Sequence, residues 1–425
     1  MNFLKNITSS QLFKITSLNS ISVLIKIGIG LITSKVLAVF VGPSGMALVG
    51  NLRNFLTSVE SVSTLGFQNG IVKYVAENEE DHLQFKKIFS TLFFSLLAVT
   101  VVISSVLFLF ANYWNQIVFG SNLDYSYVFK VLAIALPLYV SSIYLVAIIN
   151  GLGRFKSVIN INIIGNIIGL FVTLFFIYKW LVLGALLAII ITPSLLFFVT
   201  VYYISEEISI RNTINLNLFD FKIIKNLSHY FLMALVSGIF GPIVFLAIRH
   251  QVIATVGLKE AGFWEAMTRI STYYLLFVNT LLTVYYYPKL VQAKTNEETK
   301  LVFWSFYKNV LSFFAVGLFI IYLLRGIIIK TLFTQDFEPV SDLFLWQLVG
   351  DFLKAASWIL GFQFFAKKMT KAFIITEIVS LLILYFSSIY LITVFKTEGV
   401  VMAHAFTYGM YLLVLAIYFR KSLVN

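Results

Sequence analysis

Eight basic and four acidic residues stand inside stretches that are otherwise apolar enough to lie in a membrane. The bases are Lys26, Lys35, Arg53, Lys130, Arg249, Arg269, Lys308 and Lys354, and the acids are Glu60, Glu265, Asp351 and Glu377. A charge at the centre of a bilayer costs about 2.5–3.5 kcal/mol on insertion scales, so such residues face a wet cavity, meet a partner or snorkel from a helix end. Spacing sorts them. Glu265 and Arg269 are four apart and Asp351 and Lys354 three apart, so each pair can neutralise itself on one helix face. Lys130 and Lys308 are placed where snorkelling suffices. Lys26, Lys35, Arg53 and Arg249 have no such local partner, and pairing would have to reach across helices to Glu60 or Glu377. Lys26 and Lys35 are about two and a half turns apart, so they point to different sides and depths. A basic lining of this kind suits a mobile anion, pyrophosphate above all, because ammonium and guanidinium groups are its usual donors.

Other chemistries find little support. With no cysteine there is no disulfide framework, thiolate site or cysteine nucleophile. The four histidines, His82, His229, His250 and His404, show no metal-ligand spacing. No catalytic residue, metal or cofactor is therefore expected, and the chain does not read as an enzyme. The net charge of +12 would suggest nucleic acid in a soluble protein. Here the excess of Lys and Arg on cytoplasmic loops explains most of it, and no nucleic-acid partner is expected.

The elements that carry these charges follow from composition. Of 425 residues, 60% are apolar and 12% charged, too few polar groups to cover a water-exposed surface. The mean hydropathy of +0.92 agrees. Stretches 88–123, 131–153, 157–178, 180–205, 226–248, 270–288, 378–395 and 399–419 hold no Asp, Glu, Lys or Arg. Less pure stretches at roughly 15–41, 44–72, 301–329 and 341–366 bring the expected total to twelve spans. Lengths near 20 without alternation predict helices, not a barrel. With a cytoplasmic N-terminus, 18 loop bases fall inside and 5 outside, namely Lys179, Lys259, Arg325, Lys330 and Lys396. That split places both termini in the cytoplasm. Trp114 and Trp180 then lie at the outer interface.

The longest polar connection falls halfway along, giving an N-terminal lobe at 1–206, a cytoplasmic linker at 207–222 and a C-terminal lobe at 223–425. The lobes echo one another. Phe13-Lys14-Ile15 and Phe221-Lys222-Ile223 open them, and Gly42 precedes Arg53 by 11 residues as Gly257 precedes Arg269 by 12. Gly153-Arg154-Phe155 has a weaker counterpart in Thr370-Lys371-Ala372-Phe373. The expected fold is all-α: twelve transmembrane helices in two pseudo-symmetric six-helix lobes around a central cavity. Gly238, Gly241 and Pro242 interrupt span seven and are the candidate hinge.

The run Leu343-Phe344-Leu345-Trp346-Gln347-Leu348-Val349-Gly350-Asp351-Phe352-Leu353-Lys354 resembles the tenth span of the Wzx-type flippases of O-antigen and lipid III, in the multidrug/oligosaccharidyl-lipid/polysaccharide exporter superfamily. The likeness extends through Leu24 to Gly28, Lys35 to Val39, Gly42 to Gly45, Arg53-Asn54, Gly70 to Ala76, Gly262 to Trp264 and Thr376 to Ser380. It implies export of an undecaprenyl-pyrophosphate-linked oligosaccharide, an O-antigen unit or the enterobacterial common antigen lipid, across a bacterial inner membrane. Lys26, Lys35, Arg53, Arg249, Arg269 and Lys354 become headgroup candidates, and Asp351, Glu60 and Glu377 candidates for ion coupling. Arg269 departs from the family pattern, which is uncharged at that site, and points to this protein's own glycan. The implied partners are membrane lipids, the glycan polymerase and the chain-length machinery. The resemblance implies rocking lobes driven by an ion gradient.

Three rivals differ in what they require. A drug/cation antiporter of the same superfamily would want acids in the first lobe, where only Glu60 is available. A glycan polymerase or ligase needs a large periplasmic loop with catalytic groups, and the outer loops are short. A passive channel is the third, and the two repeated lobes argue for rocking without excluding it.

Overall fold

A computed structural model describes residues 11–78, 80–209, 213–225, 227, 232 and 236–424, with side chains from residue 19 onward except that of Asn69. His229 and residues 210–212 of the expected linker lie outside the described residues. All regular structure among the described residues is helical.

In chain order the helices are α1 (Gln11–Phe40), α2 (Gly42–Ser63), α3 (Gln68–Glu77), α4 (His82–Leu109), α5 (Ala111–Phe119), α6 (Ser126–Gly151) and α7 (Phe155–Ser205). After a π-helical turn at Val236–Phe240 come α8 (Gly241–Thr255), α9 (Leu258–Leu281), α10 (Tyr287–Gln292), α11 (Asn296–Phe306), α12 (Ser312–Leu332), α13 (Val340–Ala366), α14 (Thr370–Tyr418) and α15 (Arg420–Val424). Among the described residues, eight helical stretches are long and apolar enough to cross a membrane. Two of them double back. α7 turns at Leu181 and α14 at Lys396, residues held at φ 48° and 52°. Each reversal brings two spans together and stands beside a lysine that interrupts the apolar run, Lys179 or Lys396. With α2 and α9, which carry more charge, the spans among the described residues number twelve, as expected from sequence.

Helix starts are written locally. Asp81 caps α4, its carboxylate accepting from the backbone N–H groups of Leu83 at 3.1 Å and Gln84 at 3.0 Å. Thr295 and Glu298 form a capping box at the start of α11.

The chain forms two compact units. The first holds Met1–Val36 and Asn51–Ile239, the second Leu37–Gly50 and Phe240–Asn425. The end of α1 and the first part of α2 belong to the second unit. In the first unit, Phe55 packs against Trp114 and Phe129 with ring centroids 5.3 and 5.4 Å away. Asn51 donates to the Val118 carbonyl at 2.9 Å and ties α2 to α5. In the second unit, the rings of Phe364 and Phe419 pack at a tilt with centroids 5.0 Å apart, tying α13 to the turn before α15.

Candidate functional site

Within the second unit the charged residues gather into two buried clusters. Arg249 and Glu265 are each 2% exposed and Arg269 is 5% exposed. The Glu265 carboxylate is shared: Oε2 lies 2.9 Å from Nη2 of Arg249, and Oε1 lies 3.1 Å from Nε of Arg269. Arg249 also donates through Nη1 to the Ala47 carbonyl at 3.3 Å, and its guanidinium lies 5.0 Å from the Trp264 ring. Gly50 makes this arrangement fit. A Cβ at Gly50 would overlap the Arg249 guanidinium and the Glu265 carboxylate.

These contacts correct one expectation. Arg249 was expected to find a partner only across helices in Glu60 or Glu377, yet Glu265 serves it as well as Arg269. Spacing pointed to an i,i+4 pair only, whereas a carboxylate has two oxygens and can bridge two guanidinium groups.

Asp351 is the second correction. Its expected partner was Lys354, but no ion pair joins the two among the described residues. The Asp351 side chain is fully buried and surrounded by donors from three helices. Ser271 and Tyr274 on α9 each donate a hydroxyl to Oδ2 at 2.5 Å. Gln347, one turn back on α13, donates at 3.1 Å. On α14, His404 places Nε2 3.0 Å from Oδ1. A carboxylate supplies only acceptors, so Nε2 carries the hydrogen. Lys354 instead lies over aromatic faces, its Nζ 5.2 Å from the Tyr408 ring centroid and 5.7 Å from that of Trp358.

A cavity of about 70 Å³ opens inside the second unit beside this cluster. Trp264, Thr268, Ser271, Gln347, Lys354 and His404 contribute to its walls. Arg249 thus lies over Trp264, which lines the cavity, while Lys354 lines the cavity itself.

The remaining candidates are dispersed. In the first unit, Lys26 is exposed on α1, and Lys35 and Arg53 are half-buried. Glu60 on α2 accepts from the Tyr139 hydroxyl at 2.5 Å and from Nε2 of Gln68 at 3.3 Å. Glu377 is half-buried on the first arm of α14. Gly238 lies within the π-helical turn, while Gly241 and Pro242 start α8. A π-turn leading into a proline is a recognised cause of helix bending. No group of His, Asp and Glu among the described residues could hold a metal ion.

Sequence reasoning missed Ser271, Tyr274, Gln347 and His404. The available signals were Gln347 four residues before Asp351, and a lone histidine in the uncharged stretch 399–419.

Comparison with known proteins gives a consistent picture. A profile of polysaccharide biosynthesis proteins matches residues 12–294. The chain is 28% identical over 392 residues to proteins named lipid III flippase from Escherichia coli (strain K12) and Shigella flexneri, covering 92% of this chain and 94% of each relative. Among solved structures, an inward-facing multidrug resistance MATE family transporter of the MOP superfamily superimposes with a TM-score of 0.78 at 14% identity, covering 94% of this chain and 97% of that one. The lipid II flippase MurJ in an inward closed conformation gives 0.72 at 16% identity, covering 94% and 87%. At these identities the structures show a shared fold.

Proposed function

The chain belongs to the polysaccharide biosynthesis protein family, and from that premise we propose that it is a flippase for an undecaprenyl-pyrophosphate-linked oligosaccharide. The cargo is an O-antigen repeat unit or lipid III, moved from the cytoplasmic to the periplasmic leaflet of a bacterial inner membrane by alternating access. The chain is a multi-pass membrane protein. Both termini lie in the cytoplasm, and the lobes at 1–206 and 223–425 are the moving parts, with the glycan polymerase and chain-length machinery receiving the product.

One observation carries the assignment: basic side chains are gathered inside an apolar protein, with Arg249 and Arg269 sharing one carboxylate and Lys354 facing a cavity. A polyprenyl diphosphate needs such donors to cross hydrocarbon, where an unaided charge is prohibitive. Lys26, Lys35, Arg53, Arg249, Arg269 and Lys354 serve the headgroup. Asp351, Glu60 and Glu377 serve ion coupling to a transmembrane gradient, and Gly238, Gly241 and Pro242 serve as the hinge. The test is a deletion strain of the source organism. It should accumulate lipid-linked oligosaccharide in the inner leaflet and regain surface glycan when this gene is restored. Normal surface glycan in the deletion strain would refute the assignment.

A further inference from the structure

The Asp351 cluster contains a group that headgroup binding does not use. Of the four side chains donating to Asp351, only the His404 imidazole can accept a further proton and become a cation. Its ring lies against the cavity of about 70 Å³, which has room for water. His404 and Lys354 share that cavity and also share the Tyr408 ring. The His404 ring centroid is 4.8 Å from that of Tyr408, and Lys354 Nζ is 5.2 Å from the same ring centroid. An anion held at Lys354 therefore sets negative charge beside His404 without contacting it.

Other charged and titratable groups come from every packed element. α13 supplies Asp351 and Lys354, α9 supplies Tyr274, Glu265 and Arg269, and α8 supplies Arg249, engaged with Glu265. α14 supplies Tyr408, Tyr411 and Glu377.

We propose that His404 is a proton-binding site linked to anion binding at Lys354, so that the cargo-loaded protein holds one proton more than the empty one. It rests on the headgroup assignment above and describes charge compensation for the bound anion, a role separate from coupling to a gradient. The chemistry is a single proton transfer. Hydronium delivered through the cavity protonates Nδ1 of neutral His404, while the Nε2–H bond to Asp351 persists. The product is an imidazolium against a carboxylate, and the hydronium is left as water. Because linkage is reciprocal, acidification tightens anion binding as much as the anion favours the proton.

The experiment uses the purified full-length protein in detergent, with farnesyl diphosphate as the probe. Binding is followed by calorimetry in two buffers of different ionisation enthalpy. Ionisation of the probe is common to all variants, so the difference between proteins is what is read. Wild type should take up more protons per probe bound than His404→Gln, the excess approaching one. Its affinity should also rise by up to about tenfold per pH unit on acidification beyond that of the variant. Equal proton uptake in the two proteins overturns the proton site and leaves the headgroup assignment standing. Absence of probe binding to wild type, or unchanged binding by Lys354→Met, overturns the headgroup assignment and the linkage with it. Should His404→Gln not fold, the His404 resonance of the wild type is titrated with and without the probe. An upward shift of its midpoint by half a unit or more supports the linkage, and an unmoved midpoint refutes it.

Discussion

Gly350 lies directly beneath the imidazole of His404. A Cβ at this position would collide with Cδ2 of His404 and come within 3.0 Å of the Ala405 amide nitrogen. The absence of a side chain at Gly350 is what lets the second arm of α14 approach α13 closely enough for His404 to meet Asp351. Gly350→Ala should therefore push His404 away and destabilise the protein by about 1–3 kcal/mol, the usual cost of overpacking. Thermal unfolding in detergent reads the loss, and an unchanged melting temperature would show that α14 yields freely.

Asp351→Asn tests the donor shell. Ser271, Tyr274, Gln347 and His404 all donate to this side chain, and an amide offers one acceptor oxygen and two competing donors. Each buried donor left without an acceptor costs about 1–3 kcal/mol. The expected outcome is a marked fall in melting temperature, partly recovered when Tyr274→Phe is added to remove one donor. If the second substitution lowers stability further, the shell does not act as described.

For Glu265, truncation and coupling can be separated. Glu265→Gln leaves two buried guanidinium groups against a neutral amide and should cost about 3–5 kcal/mol. Adding Arg269→Met relieves part of that penalty, and a double-mutant cycle should give a coupling of about 0.5–3 kcal/mol. Strict additivity would mean that the 3.1 Å contact between Arg269 and Glu265 carries no energy.

Lys26 and Arg53 are exposed and half-buried respectively, so neutralising them should leave folding intact. The double substitution Lys26→Gln with Arg53→Gln is expected to abolish surface glycan in a complementation assay while protein levels in the membrane stay normal. Full glycan display by that double mutant would remove both residues from the headgroup path.

Pro242 follows the π-helical turn at Val236–Phe240. Pro242→Ala restores a backbone donor and favours a straight helix. Transport of lipid-linked oligosaccharide in proteoliposomes should slow several-fold, whereas farnesyl diphosphate affinity should stay within about twofold. Equal loss of affinity and rate would argue against a hinge.

The membrane architecture was legible because hydrophobic runs and their interruptions are local. Lys179 and Lys396 broke two long apolar stretches, and α7 and α14 reverse at Leu181 and Lys396. Ser237 to Pro242 coincides with the π-helical turn that leads into α8. The clusters were less legible, because their partners are distant in sequence. His404 is 53 residues from Asp351, and Ser271 is 80 residues from it. Local spacing favoured pairing Asp351 with Lys354, and only packing of α9, α13 and α14 decides against it. Glu265 likewise looked committed to Arg269 until α8 brought in Arg249.

The place of Leu37–Gly50 in the second compact unit bears on inheritance. Gly50 leaves room for the Arg249 side chain, and the Ala47 carbonyl accepts its hydrogen bond. A gene fusion joining the first half of this chain to the second half of a relative at residues 207–222 would divide these contacts between two ancestries. Such hybrids should be rescued by transplanting residues 37–50 together with the second half. Residues at the start of the coding sequence are thus bound to change in step with residues some 200 positions later.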